Sequence, residues 1–223
     1  FSIFIPLSTV PLKSDLEEAY ARVSPYVHQT PILTSGLIND RTGAKLFFKC
    51  ENFQRMGAFK MRGAVNAILN LSGEQKKAGV ITHSSGNFGQ AISLAALTLG
   101  VKAYVVMPEN APQVKKEAVA AYGGIITECE ATLEAREATA AKISEETRAT
   151  FLHPSNNTDV ILGNATVAME LLRKKPELDI VICPVGGGGL LAGSALAAHY
   201  FGNNCLAIAG EPAVADDAYR SLK

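Results

Sequence analysis

What is scarce in this 223-residue sequence narrows its chemistry before any motif is read. Cysteine occurs four times, at Cys50, Cys129, Cys183 and Cys205, each in or beside an apolar stretch, with no C-x-x-C pair and no histidine cluster at metal-ligand spacing. That pattern argues against a disulfide framework or a zinc site and for buried free thiols in a reducing compartment. An excess of charge is missing too. The 21 basic and 21 acidic residues cancel and form no block of one sign, so neither nucleic acid nor an anionic membrane has an electrostatic footprint, and a small molecule is the expected partner. The opening FSIFIPLSTVPL is apolar but short. Prolines interrupt it, and it has neither a basic leader nor a following small-residue cleavage site. Export and membrane spanning are therefore unsupported, and a cytoplasmic location is expected. No linker stands out and no repeat of fixed period is found.

What is present alternates. Ser14 and Glu17 form an S-x-x-E capping box, followed by Leu16, Tyr20 and Val23 at helical spacing until Pro25. LFFKC at 46–50 has strand composition, and Met61, Ala64, Val65 and Ile68 predict a helix over about 59–71. Strands are then expected at 79–83, 101–108, 125–129, 150–153, 180–185 and 205–210. Helices are expected at 89–99, 112–122, 133–147, 159–172 and 190–200. Repeated strand and helix is the signature of a parallel α/β sheet with helical crossovers. Runs such as VVM and IVICPV read as strands covered on both faces.

Three segments carry chemistry. In AFKMRGAVNA, Lys60 sits between Phe59 and Met61 where small residues give way to a helix. A lysine in apolar company loses basicity and becomes a nucleophile or base, although a snorkelling stem explains most single lysines. In THSSGNFGQA, Ser84, Ser85, Gly86 and Asn87 follow a strand and open a helix. Backbone N–H groups there suit a carboxylate or phosphate, and the alternative is an ordinary N-cap turn. In PVGGGGLLAG, Gly186, Gly187, Gly188 and Gly189 join a strand to a helix. Side-chain-free backbone lets several N–H donors converge on a phosphate, while neither the Walker pattern nor GxGxxG is present. A reactive lysine, a carboxylate turn and a phosphate cradle together describe pyridoxal 5'-phosphate acting on an amino acid.

These segments, in this order, resemble the signatures of the serine racemase and serine/threonine dehydratase family, fold type II of the pyridoxal phosphate enzymes. The likeness runs from HQTPIL at 28–33 to GEPAVADDAY at 210–219. It implies that Lys60 forms the Schiff base and Phe59 packs beside the cofactor. It further implies that Asn87 bonds the cofactor's phenolic oxygen and that the four glycines hold its phosphate. Ser84, Ser85, Gly86, Asn87 and Phe88 would face the substrate, with the Ser84-Ser85 doublet the serine racemase-like form. Glu211, Ala215 through its carbonyl, and Asp217 match positions that bind a divalent cation in serine racemases, suited to magnesium or calcium. By spacing alone they read as a solvated acidic cluster at a helix start. Three departures bear on substrate choice: Phe88 where the family usually has His, Ser155 where animal serine racemases have Asn, and GNAT at 163–166 in place of GQGT.

The resemblance implies a large domain from 1–78 and 157–223 with a smaller inserted domain at 79–156. The expected chemistry is racemisation of L-serine or loss of its hydroxyl, with Lys60 taking the α-proton and Ser85 working from the opposite face. A 3-hydroxyaspartate dehydratase, another fold type II lyase, or a non-catalytic amino-acid or nucleotide-binding module are the alternatives. Homodimer assembly when full length and ATP as an effector follow from the resemblance only. The chain is expected to be a fragment, with the partner of the pyridine nitrogen beyond its end.

Overall fold

The computed structural model describes residues 10–221. The opening 1–9, part of the segment read above against export, and the last two residues of the chain lie outside the described residues. The helices are α1 (Lys13–Val23), α2 (Gly36–Thr42), α3 (Lys60–Leu69), α4 (Gly73–Ala78), α5 (Asn87–Leu99), α6 (Gln113–Ala121), α7 (Leu133–Thr147), α8 (Thr158–Lys174), α9 (Gly189–Phe201) and α10 (Asp217–Ser221). The strands are β1 (Ile32–Leu33), β2 (Phe48–Lys49), β3 (Val80–His83), β4 (Ala103–Pro108), β5 (Ile125–Cys129), β6 (Thr150–Phe151), β7 (Ile180–Pro184) and β8 (Leu206–Gly210).

The expected α/β alternation is there, but the strands divide among sheets. A four-stranded parallel sheet has the order β5-β4-β3-β6, β7 and β8 form a separate parallel pair, and β1 and β2 pair antiparallel. Val80 and every residue of β3 after it are buried, as a doubly covered strand requires. IVICPV departs from that expectation. Val181 and Cys183 point inward, while Ile180 and Ile182 on the other face are exposed together with Leu206 and Ile208. Only one face of the β7–β8 pair meets helices, chiefly α9.

Local chemistry moves two other boundaries. α1 starts before the Ser14 box: Leu12 is its N-cap, and the Asp15 carboxylate accepts the Leu12 N–H at 2.7 Å, so Ser14 lies inside the helix. Of LFFKC, Phe48 and Lys49 alone pair as strand. α2 and α4, absent from the sequence reading, are short and locally capped, by Ser35 and Ser72 respectively. Of the four cysteines, Cys183 and Cys205 are buried; Cys50 and Cys129 are half-buried thiols, and all four are free.

Helices α3, α8 and α9 pack through small residues. A Cβ on Gly163 would lie 2.7 Å from the Gly63 Cα, and one on Gly193 would lie 2.7 Å from the Ala165 N. Such backbone-to-backbone approach brings the starts of three helices together, and with them the loops that precede each helix. Among the described residues no helix is long and apolar enough to cross a membrane.

Candidate active site

Lys60 is the first residue of α3, reached through a turn in which Met56 and Gly57 both take positive φ, at 53° and 75°. Its neighbours from Met61 through Ile68 are all buried, which pulls the lysine stem inward. Nζ donates to the Pro154 carbonyl at 2.7 Å and lies 5.2 Å and 5.4 Å from the ring centres of Phe59 and Phe88. Desolvation lowers the ammonium from 10.5 to about 8. At pH 7 the neutral fraction is then raised roughly 300-fold over that of an ordinary lysine.

The 84–86 turn links β3 to α5. Ser84 N–H donates to the Val106 carbonyl at 3.0 Å, and its Oγ accepts the Gly86 N–H at 3.3 Å. Gly86 is the N-cap of α5, and Ser85 is half-buried while Asn87 is exposed. Phe88 is 2 % exposed and packs in the main core, with its ring beside Lys60. Lys115 Nζ on α6 lies 3.7 Å from where a Gly86 Cβ would stand, and this lysine has no ion pair or side-chain hydrogen bond among the described residues.

The four glycines serve different ends. Gly188 takes φ +81°, and both it and Gly186 look onto open space. Cβ atoms on Gly187 and Gly189 would instead lie 2.8 Å from the Ser155 Cβ and 3.0 Å from its Cα. Backbone thus lies bare at the N-terminus of the 13-residue α9 on one side and packs on Ser155 on the other. The glycine loop also borders an open cleft of about 720 Å³ whose far wall includes Glu211, Asp217 and Tyr219.

The sequence reading treated the 152–157 connection as a carrier of one substitution; the structure makes it the hub. Pro154 receives Lys60, Ser155 backs the glycine loop, and Asn157 caps α8 by accepting the Val160 N–H at 3.0 Å. A second missed feature lies behind Lys60. Arg62, fully buried, donates to both oxygens of Glu51 at 2.8 Å and to both of Glu170 at 2.8 and 3.0 Å. Lys49 donates to Glu170 at 2.6 Å. Burial pushes the Glu170 carboxyl up, but Arg62 and Lys49 hold it below its ordinary value. An arginine on the apolar stripe of α3 was the visible signal of this cluster.

The three residues that the resemblance gives to a divalent cation lie just before and at the start of α10. The Glu211 oxygens accept the Ala218 and Tyr219 N–H groups, each at 3.0 Å, while Ala215 and Asp217 are exposed. No group of three or more His, Cys, Asp or Glu that could hold a metal occurs among the described residues.

A desolvated amine beside a bare-backbone helix start is the donor set that a phosphorylated aldehyde cofactor needs, and comparison with known proteins agrees. The chain belongs to the family described as pyridoxal-phosphate dependent enzyme, whose model matches residues 23–223. It is similar to a serine racemase of Dictyostelium discoideum, 49% identical over 217 residues, covering 97% of this chain and 67% of the relative. It is equally similar to a beta-hydroxyaspartate dehydratase of Paracoccus denitrificans (strain Pd 1222), 49% identical over 214 residues, covering 96% and 68%. Among solved structures, maize serine racemase superposes with a TM-score of 0.93 at 46% identity, covering 96% of this chain and 65% of that one. The fold is that of the fold type II enzymes, and the chain spans about two thirds of the length of these relatives.

Proposed function

We propose that this chain carries the reactive part of a pyridoxal phosphate enzyme that racemises L-serine, or a related 3-hydroxy amino acid, or eliminates its hydroxyl. One observation carries the reading: Lys60, depressed to about 8 by burial, is bonded to the same connection on which the glycine loop rests. When bound, pyridoxal phosphate supplies the electron sink that makes the α-proton of an amino acid acidic. The protein's own tasks are positional. Lys60 Nζ is the group that takes the α-proton, because a neutral amine is available to it near physiological pH. Gly186, Gly187, Gly188 and Gly189 direct backbone N–H groups at phosphate, Phe59 and Phe88 exclude water around the amine, and Asn87 is free to bond the cofactor's ring oxygen. Ser84, Ser85 and Gly86 receive the substrate carboxylate. For racemisation Ser85 Oγ returns a proton on the face away from Lys60. For elimination the β-hydroxyl leaves with a proton as water, and a second water releases ammonia and the 2-oxo acid.

Lys115 favours a second reading, in which the substrate carries another carboxylate, as 3-hydroxyaspartate does: a half-buried ammonium with no partner among the described residues stands beside Gly86. Product analysis with L-serine, D-serine, L-threonine and 3-hydroxyaspartate as separate substrates decides between the readings, and turnover of none of them would overturn both.

Finer points belong to the same proposal. A division into 79–156 and the remainder is supported by the four-stranded sheet, all of whose strands fall within 80–151. A divalent cation at Glu211, Ala215 and Asp217, ATP as effector, homodimer assembly of the full-length protein and a cytoplasmic location are supported by the resemblance to serine racemases.

A further inference from the structure

We infer that His153 is a positioning residue whose unprotonated Nδ1 holds the 153–156 turn in shape, and through that turn sets both Lys60 and the glycine loop. The geometry is direct. Nδ1 accepts the Ser155 N–H at 3.1 Å and the Asn156 N–H at 2.8 Å, with the Ser155 Oγ at 3.5 Å. A nitrogen that accepts two N–H groups carries no proton of its own, so the imidazole is neutral with its proton on Nε2. The two residues that follow it are the ones the site uses: the Pro154 carbonyl takes the Lys60 ammonium, and Ser155 lies against Gly187 and Gly189. One ring therefore governs the spacing between the reactive amine and the phosphate cradle.

The surroundings favour the neutral form. His83 on β3 meets the ring edge-on, 5.9 Å between centroids, and the Phe151 ring lies 6.3 Å away. Of the charged groups that face it, His83 and Lys60 oppose a second proton and Glu137 on α7 favours one; Arg136 on α7 in turn opposes protonation of His83. Burial is the largest opposition of all and keeps His153 below the ordinary 6.5. Protonation would turn Nδ1 from acceptor to donor and release both amides at once. The turn is thus held at neutral pH and loosened only by acid.

The effect on cofactor binding rests on the function proposed above, whereas the capping role does not, and the test separates them. In Asn, Oδ1 stands where Nδ1 stood; in Gln, Oε1 stands nearer the place of Nε2. With the full chain, His153→Asn should restore the Asn156 amide's protection from hydrogen exchange, whereas His153→Gln should exchange at least about tenfold faster, the effect of losing such hydrogen bonds. The nitrogen chemical shifts of His153 should show Nδ1 unprotonated at pH 7.5. Pyridoxal phosphate affinity should follow the same order: wild type and His153→Asn within about threefold of each other, His153→Gln at least about tenfold weaker. Below pH 6.5 wild type should lose affinity more steeply than His153→Asn, which has no imidazole to protonate. A protonated Nδ1 at pH 7.5, or equal exchange in the Asn and Gln variants, overturns the inference. Failure of wild type to bind pyridoxal phosphate would overturn the proposed function while leaving the exchange and shift measurements to decide on His153.

Discussion

Lys60 shows how little of a residue's chemistry belongs to the residue. Its amine is that of any lysine until Phe59, Phe88 and the α3 core remove its water, and the resulting cost of carrying a charge is what lowers its pKa to about 8 and suits it to the proposed role. The sign of the pH effect follows. Below about 8 the folded chain holds a desolvated cation, so stability rises as pH climbs from about 8 toward the unfolded value of 10.5. Lys60→Met should therefore be more stable than wild type at pH 7 in denaturant titrations, with the advantage shrinking as pH approaches 10. Lys60→Ala should abolish turnover and the visible absorbance of the lysine-bound cofactor; a retained band would remove Lys60 from its role. Among the described residues, Ser85 makes no side-chain hydrogen bond. Ser85→Ala should accordingly leave the fold intact and lose racemisation of L-serine far more than elimination, measured as D-serine against pyruvate. Equal loss of both would make Ser85 an organiser of the turn.

Helices and strands repeat the contrast between what neighbours in sequence decide and what distant contacts decide. β5 and α7 coincide with the strand and helix read at 125–129 and 133–147, and for α7 the signal is local: Thr132 caps it by accepting the Ala135 N–H. Lys60, the 84–86 turn and the glycine loop were legible for the same reason: each is a local departure in composition. The hub at 152–157 was not, since its meaning lies in contacts with Lys60, 94 positions away, and with the glycine loop. Nor was Glu170, one of the two carboxylates that pair with Arg62, which lies 108 positions distant. Glycines test the distinction. Gly73 at the first turn of α4 has open space around it, so Gly73→Ala should stabilise by about 0.4–1 kcal/mol. Gly163→Ala would press a methyl on the Gly63 backbone at 2.7 Å and should cost about 1–3 kcal/mol, read from chemical unfolding. At α10, Glu211 caps the chain rather than standing free. If a cation also binds there, chelation should lower the melting temperature, and magnesium or calcium should restore it by mass action. Persistence of that response in Glu211→Gln with Asp217→Asn would place the cation elsewhere.

The molecule presents an apolar sheet face to water. Ile182 at 67 % exposure and Leu206 at 62 % lie on the uncovered side of the β7–β8 pair, flanked by Ile180 and Ile208. An uncovered apolar sheet face invites self-association. Sedimentation of the 223-residue chain should show concentration-dependent association that Ile182→Lys with Leu206→Lys relieves; a monodisperse wild type would show the face to be harmless. The long span between Lys60 and Pro154 has a different outcome. Closing so wide a loop is entropically unfavourable until the strands between are in place. Before then nothing strips water from Lys60, and an unfinished chain carries an ordinary, mostly protonated lysine that reacts with aldehydes only slowly. Under the proposed role, nucleophilicity here is a property of completed folding: until the structure that desolvates Lys60 is in place, stray carbonyl compounds meet only an ordinary lysine at this position.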